Sequence, residues 1–205
     1  LLVIDSATEA CSVALFDTTN GLCGDLLAGD WVDLGRGHAE RLVPMIAALP
    51  DRGRAARIMV NLGPGSFTGI RVGLAAARAL GLAWGAPVGG YLCLDLVAKM
   101  AGAAQAGCDI DVVMTGGHGE WFFQPFDADA APRAPLCALP PEVVLDRSRA
   151  RVVAGSQAAA VAAHSGALAL PIRPDARRFH LLDHTAWQDT VSPVYGRAPD
   201  ARLPA

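Results

Sequence analysis

Charge is scarce in this chain. Of 205 residues only 18% are Asp, Glu, Lys or Arg, and 17 basic against 20 acidic side chains leave a formal net charge of −3. That balance excludes a disordered chain, and it excludes a protein that grips nucleic acid alone through a broad basic face. Long apolar runs are missing as well. The longest weakly charged stretch, Ala79 to Leu94, is broken by Gly81, Gly85, Pro87, Gly89 and Gly90, so no transmembrane helix and no membrane partner is expected. The five cysteines (Cys11, Cys23, Cys93, Cys108 and Cys137) are odd in number and lack C-x-x-C spacing. They fit buried, reduced thiols in a cytoplasmic protein rather than a disulfide framework. The opening Leu1-Leu2-Val3-Ile4-Asp5 has no basic leader, no cleavage site and no initiator Met. It is not read as a signal peptide, and residues are expected to precede it.

What the chain does have is apolar substance, 52% of its residues, ample for a buried core. Leu1 to Asp5 and Cys11 to Phe16 read as a hairpin around the turn-prone Ser6-Ala7-Thr8-Glu9, with Leu22 to Leu34 a weaker third strand. Ala39 to Leu49 repeats Leu42, Met45, Ile46 and Leu49 at helical spacing. Pro44 inside it predicts a kink or a late start. Arg57 to Leu62 is a buried strand, and a long helix from about Gly69 to Ala83 follows. A short strand, Pro87 to Tyr91, then leads into a helix around Leu92 to Ala103. After the featureless Ala101 to Gly107, Asp111 to Thr115 and Glu120 to Phe126 form a second strand pair. Ala128 to Pro141 reads as a surface excursion, Arg151 to His164 as strand then helix, and the tail after Pro174 as irregular. Both halves share one scheme of strand pair followed by strand–helix units. The expected fold is therefore α/β and two-lobed, with mixed sheets each opened by an antiparallel strand pair. The lobes are residues 1–104 and a shorter 105–205.

Three segments could carry chemistry. Gly63-Pro64-Gly65-Ser66-Phe67-Thr68-Gly69 turns tightly after a buried strand into a helix that Ser66 or Thr68 can cap. It is either an anion cradle at a helix N-terminus or simply a well-capped turn. It is not a Walker A loop, because no Lys-Ser or Lys-Thr follows the glycines. Gly69, Gly73, Ala77, Gly81 and Gly85 recur every four residues and form a ridge almost free of side chains. Each glycine costs roughly 1 kcal/mol of helix propensity, so close approach of another backbone must offset it, either within the subunit or from a partner. His38 and Glu40 at the head of a helix could serve as ligands or a base, but His38 has no second His four residues on, and a surface cap is the simpler reading. His180 and His184 are spaced i, i+4 without the Glu of a zinc helix.

Leu2 to Ala14 resembles the opening hairpin of the actin/Hsp70/sugar-kinase superfamily, where it holds the first phosphate site. His38-Ala39-Glu40 with Leu42 and Pro44, the run Gly63 to Gly73, and the terminal Pro193 to Asp200 narrow the resemblance to the bacterial TsaB (YeaZ) family. The resemblance implies an actin-like ATPase (ribonuclease H-like) fold and a non-catalytic subunit in making the threonylcarbamoyladenosine of tRNA. It implies that the paralogue TsaD is the heterodimer partner and the catalyst, acting at adenosine 37, and that the ATPase TsaE joins. tRNA would be held only through the complex. No cofactor of its own is implied; ATP, ADP and metal belong to the partner subunits. TsaD carries a His-x-Glu-Gly-His metal segment. Here His38 and Glu40 match it, but Arg41 stands for Gly and Leu42 for the second His, which dismantles the metal site.

The partner interface is thus expected on the helices that carry His38, Glu40, Leu42, Met45, Ile46 and Leu49 and the ridge Gly69, Gly73, Ala77 and Gly81. In isolation the same surface would suit a homodimer. Asp5, Thr8, Gly65, Ser66 and Thr68 form the candidate anion or nucleotide loop, with no catalytic residue assigned. The rival reading is a small phosphotransferase using Asp5, Thr8 and the Gly65 loop, although the chain is about half the usual kinase length. A metallopeptidase, the second rival, lacks its second His. Thr115 to Glu120 departs from the family's usual Asp-Ala-Arg run.

Overall fold

The computed structural model describes residues 1–19 and 21–196. The first lobe opens with β1 (Leu2–Asp5) and β2 (Ala10–Phe16), paired antiparallel with Leu2 opposite Leu15 and Asp5 opposite Ser12. Neither strand shows polar alternation, because both of its faces are covered. β3 (Leu26–Asp33) adds an exposed antiparallel edge. Next come α1 (His38–Ala48), β4 (Ile58–Asn61), α2 (Phe67–Trp84) and β5 (Val88–Tyr91). The sheet order is β3-β2-β1-β4-β5, with β1, β4 and β5 parallel. α1 begins at His38 and is continuous through Pro44, so the expected late start does not occur. Pro44 sits on the solvent side, where water can take the carbonyl its missing N–H leaves free.

The second lobe repeats the plan. β6 (Ile110–Thr115) and β7 (Trp121–Phe126) pair antiparallel, and β8 (Cys137–Leu139) extends the meander. After α4 (Pro141–Arg147), β9 (Val152–Ala154) joins β6 in parallel, and β10 (Leu168–Leu170) follows beyond α5 (Ala158–Ser165). The order β8-β7-β6-β9-β10 matches the first sheet strand for strand. Two mixed sheets, each opened by an antiparallel pair, are what the sequence pattern predicted. Ala128 to Pro141 does run over the surface, with β8 as the one strand inside it and α4 starting at its end.

Between β5 and β6 lies α3 (Cys93–Ala104), which serves both sheets. Leu94, Val97 and Ala101 pack on the second, while Leu96 joins the core on the back of the first. The chain then returns. Two short 3₁₀ turns, Ala176–Leu181 and His184–Ala186, bring Phe179 and Leu182 under β1, β2 and β4, so the tail is irregular as expected but packs on the first sheet. All five cysteines are unpaired thiols, and Cys11 and Cys93 are buried. Among the described residues no helix is long and apolar enough to cross a membrane.

Candidate functional site

The hairpin turn after β1 and the loop after β4 are built as one piece. Asp5 is 1% exposed. Its Oδ2 accepts from Asn61 Nδ2 at 2.7 Å and from the Tyr91 hydroxyl at 2.8 Å, and its Oδ1 accepts from the Ala7 amide at 3.3 Å. Asn61 in turn accepts from the Gly63 amide at 2.8 Å, so Asp5 positions the 63–69 loop through one intermediary. Burial pushes the Asp5 carboxyl up to about 6 despite these donors, and the Tyr91 hydroxyl is driven further up by burial and by the Asp5 charge. Ser66, not Thr68, caps α2: its Oγ accepts from the Gly69 amide at 3.2 Å.

The loop is closed against the hairpin. The Ser66 amide donates to the Ala7 carbonyl at 2.6 Å. A Cβ at Gly65 or Gly69 would run into the carbonyl oxygens of Ala7 and Ser6, respectively, which is why both positions lack one. The Ser66 amide is therefore already spent on the hairpin and is not open to an anion. Of the five residues expected to form an anion or nucleotide loop, Thr8, Gly65 and Ser66 line a cleft of about 900 Å³ between the lobes; Asp5 lies beneath the cleft and Thr68 outside it. The expectation that Asp5 faces a ligand is corrected: it is a structural brace.

Across the cleft stands the departed segment. Thr115 to His118 and Glu120 form its far wall. Gly116 and Glu120 close a tight turn through Gly116 N–H to Glu120 O at 2.9 Å and Glu120 N–H to Gly117 O at 3.1 Å. One feature at the rim was missed from sequence. The Arg71 guanidinium lies 3.6 Å above the Phe67 ring, its Nε donates to the Tyr195 hydroxyl at 3.2 Å, and the two rings sit 4.8 Å apart. Arg71 belongs to the run after Gly63 and Tyr195 to the terminal match, so both were in view, but nothing in either segment says that they meet. Arg197 to Asp200 of that terminal match lie outside the described residues.

The expected partner surface needs correction in its side chains. Leu42, Met45, Ile46 and Leu49 pack into the chain's own core against β1, β2 and β4, together with Ile70, Leu74 and Ala77. The glycine ridge faces the same way: Gly69 and Gly73 press on Ser6, and Gly81 on Val88. The close neighbour that offsets the helix cost is therefore the protein's own sheet. His38 is buried too, with Nε2 3.3 Å from the Ala10 carbonyl. Glu40 alone of the named set on α1 reaches solvent. The outward faces of the two helices carry other residues, Val43 and Ala47 on α1 and Ala75, Ala79 and Leu82 on α2, all exposed. Among the described residues no three His, Cys, Asp or Glu side chains are grouped to hold a metal. His180 stacks near Phe16 and His184 near Trp187.

Two sheets of matching order with a cleft between them define an actin-like, ribonuclease H-like two-lobed α/β protein. Residues 33–129 match the family model described as TsaD: tRNA N6-adenosine threonylcarbamoyltransferase. The chain is 33% identical to the tRNA threonylcarbamoyladenosine biosynthesis protein TsaB of Escherichia coli over 143 residues, which is 63% of this chain and 55% of that protein. It is 39% identical to an uncharacterised Mycobacterium leprae protein over 47% of this chain and 28% of that one. The match thus spans about half or less of these relatives. The solved structure of YeaZ from Pseudomonas aeruginosa superimposes with a TM-score of 0.75 at 26% identity, covering 95% of this chain and 98% of that one. In sequence the chain is thus similar to TsaB over part of its length, and in fold to YeaZ over nearly all of it.

Proposed function

We propose that this chain takes part in forming N6-threonylcarbamoyladenosine at position 37 of tRNA, as the non-catalytic partner that docks TsaD and holds it active. The lobe of residues 1–104 carries the docking helices. TsaE joins the assembly, nucleotide and metal belong to the partner subunits, and a second copy of this chain takes the TsaD face in isolation. The family names motivate the pathway. A single observation carries the docking role: α1 and α2 pack side by side on one face of the first sheet, and their outward faces expose Val43, Ala47, Ala75, Ala79 and Leu82 between the charged Glu40, Arg41, Arg71 and Arg78. Val43 is 59% exposed and Leu82 is 87% exposed. A monomer gains nothing from leaving them in water, whereas a pair of helices from a paralogue of the same fold would cover both. The phosphotransferase reading loses its best residue, because the Asp5 carboxylate is enclosed and already holds three donors.

The test is Leu82→Asp. The side chain touches little in the monomer, so the melting temperature should stay within about a degree or two of wild type. Burial of a leucine at an interface is worth about 1.5–3 kcal/mol, so affinity for TsaD should fall by roughly tenfold to a hundredfold. A folded variant that captures TsaD as well as wild type would remove α2's outward face from the interface.

A further inference from the structure

Net charge averages over the whole surface and hides a local concentration. Arg147 at the end of α4 and Arg149 and Arg151 in the loop that leads to β9 alternate along the chain, and all three line a single open groove of about 750 Å³. Arg133, from the segment after β7, lines the same groove and pairs with Asp109 at its edge. All four arginines are exposed. Arg149 and Arg151 also line a neighbouring groove of about 650 Å³ that contains His164 and Asp146. The two guanidiniums therefore stand on a ridge with a groove on each side.

The loop is braced from below. Asp111 on β6 is buried, and its Oδ2 accepts from the Ser148 hydroxyl at 2.8 Å, the Arg149 amide at 2.9 Å and the Ala150 amide at 3.1 Å. A carboxylate engaged by three donors is spent on backbone geometry. The brace fixes the chain so that alternate side chains emerge together, which like-charged arginines would otherwise resist.

We propose that this ridge is a phosphodiester-backbone contact for RNA. Guanidinium forks match phosphate oxygens in pairs, and several spaced along an open ridge suit successive phosphates of one strand better than a single enclosed anion. The ridge lies on the second lobe, away from α1 and α2, so it stays free when that helical face is covered. The identity of the polyanion as tRNA rests on the function proposed above; the phosphate-reading chemistry does not.

Labelled, unmodified tRNA is titrated by fluorescence anisotropy into the isolated chain and into its complex with TsaD over a range of salt concentrations. The comparison is between wild type and the triple variant Arg147→Gln, Arg149→Gln, Arg151→Gln. The expected result is at least a tenfold loss of affinity. The salt dependence should become shallower by roughly one logarithmic unit for each phosphate contact removed, while the affinity for TsaD stays unchanged. A triple-lysine version, which keeps charge and loses the fork, should retain the salt slope. It also serves as the folded reference should the glutamine variant lose solubility. Wild-type affinity and slope in the folded glutamine variant would overturn the proposal. So would displacement of the tRNA by low-millimolar inorganic phosphate, which would mark a small-anion pocket. Failure of wild type to bind TsaD would count against the proposed function, and the titration of the isolated chain would still judge the ridge.

Discussion

Asp5 and Ala77 show how single residues acquire meaning from what surrounds them. From its place in the opening hairpin, Asp5 reads as a ligand-facing carboxylate. In the fold it ties β1 to the loop after β4 and to Tyr91 on β5. Its carboxyl sits at about 6 in the folded chain against 3.8 for an ordinary aspartate, so the folded state binds the proton more tightly than the unfolded chain does. The contribution of Asp5 to stability is therefore full below the unfolded value and is lost as the pH rises through about 6. A shift of about two units corresponds to about 3 kcal/mol. Asp95, also raised to about 6 by burial, acts in the same sense. Denaturant midpoints measured from pH 4 to 8 should fall with rising pH, and Asp5→Asn should flatten that fall whatever its own baseline stability. A profile identical to wild type would show that Asp5 does not titrate in this range. Ala77 belongs to the small-residue ridge expected from the sequence to lie on the partner surface. It is fully buried against the chain's own sheet. Ala77→Leu should accordingly destabilise the isolated protein by about 1–3 kcal/mol through overpacking, read as a lowered denaturant midpoint. An unchanged midpoint would mean that α2 is rotated away from β1 and β4.

At the scale of elements, the legible parts are those whose pattern has one solution. The hairpin β1–β2 is two apolar runs around a turn, and β4–loop–α2 is a buried run, a cluster of glycines and a capped helix. Their placement followed from periodicity. α2 resisted because it is apolar on both sides: Gly69, Gly73, Ala77 and Gly81 on one, Ala75, Ala79 and Leu82 on the other. Periodicity gives the stripes but not which of them meets the sheet. Close approach decides it, since only the glycine side lets the helix sit on Ser6 and Val60. β8 and β10 escaped because Cys-Ala-Leu and Leu-Ala-Leu lack the β-branched residues that mark the equally short β9, and α4 because it opens on the second of two prolines in an Ala- and Pro-rich stretch. The basic ridge escaped for a different reason. Arg133 is 14 positions from Arg147 in the chain, and a sum over all charges cancels both.

The whole molecule is held together by its last described stretch. After β10 the chain leaves the second sheet and crosses back to the first. Arg173 pairs with Asp33 at 2.6 Å, the Ala176 amide donates to Ser12 Oγ at 2.9 Å, and Gln188 exchanges backbone bonds with Gly90 at the β5 edge. Arg78 on α2 donates to the Val191 carbonyl at 2.7 Å, and the Val194 amide donates to the Leu62 carbonyl at 2.7 Å. Phe179 is the centre of this return. It is fully buried, its ring 5.1 Å from Tyr91 and 5.3 Å from Trp187, and it fills the face of the first sheet opposite α1 and α2. The first lobe thus owes one of its two covered faces to residues that follow the second lobe in sequence, and neither lobe is complete without the other. Phe179→Ala should cost about 3–5 kcal/mol, since neighbours anchored in three elements cannot collapse into the space it leaves. That loss should appear as one lowered thermal transition common to both lobes, because the same residues tie them together. Two separate transitions, with the second lobe melting at the wild-type temperature, would show that the returning segment is a covering on the first sheet and not the lock between the lobes.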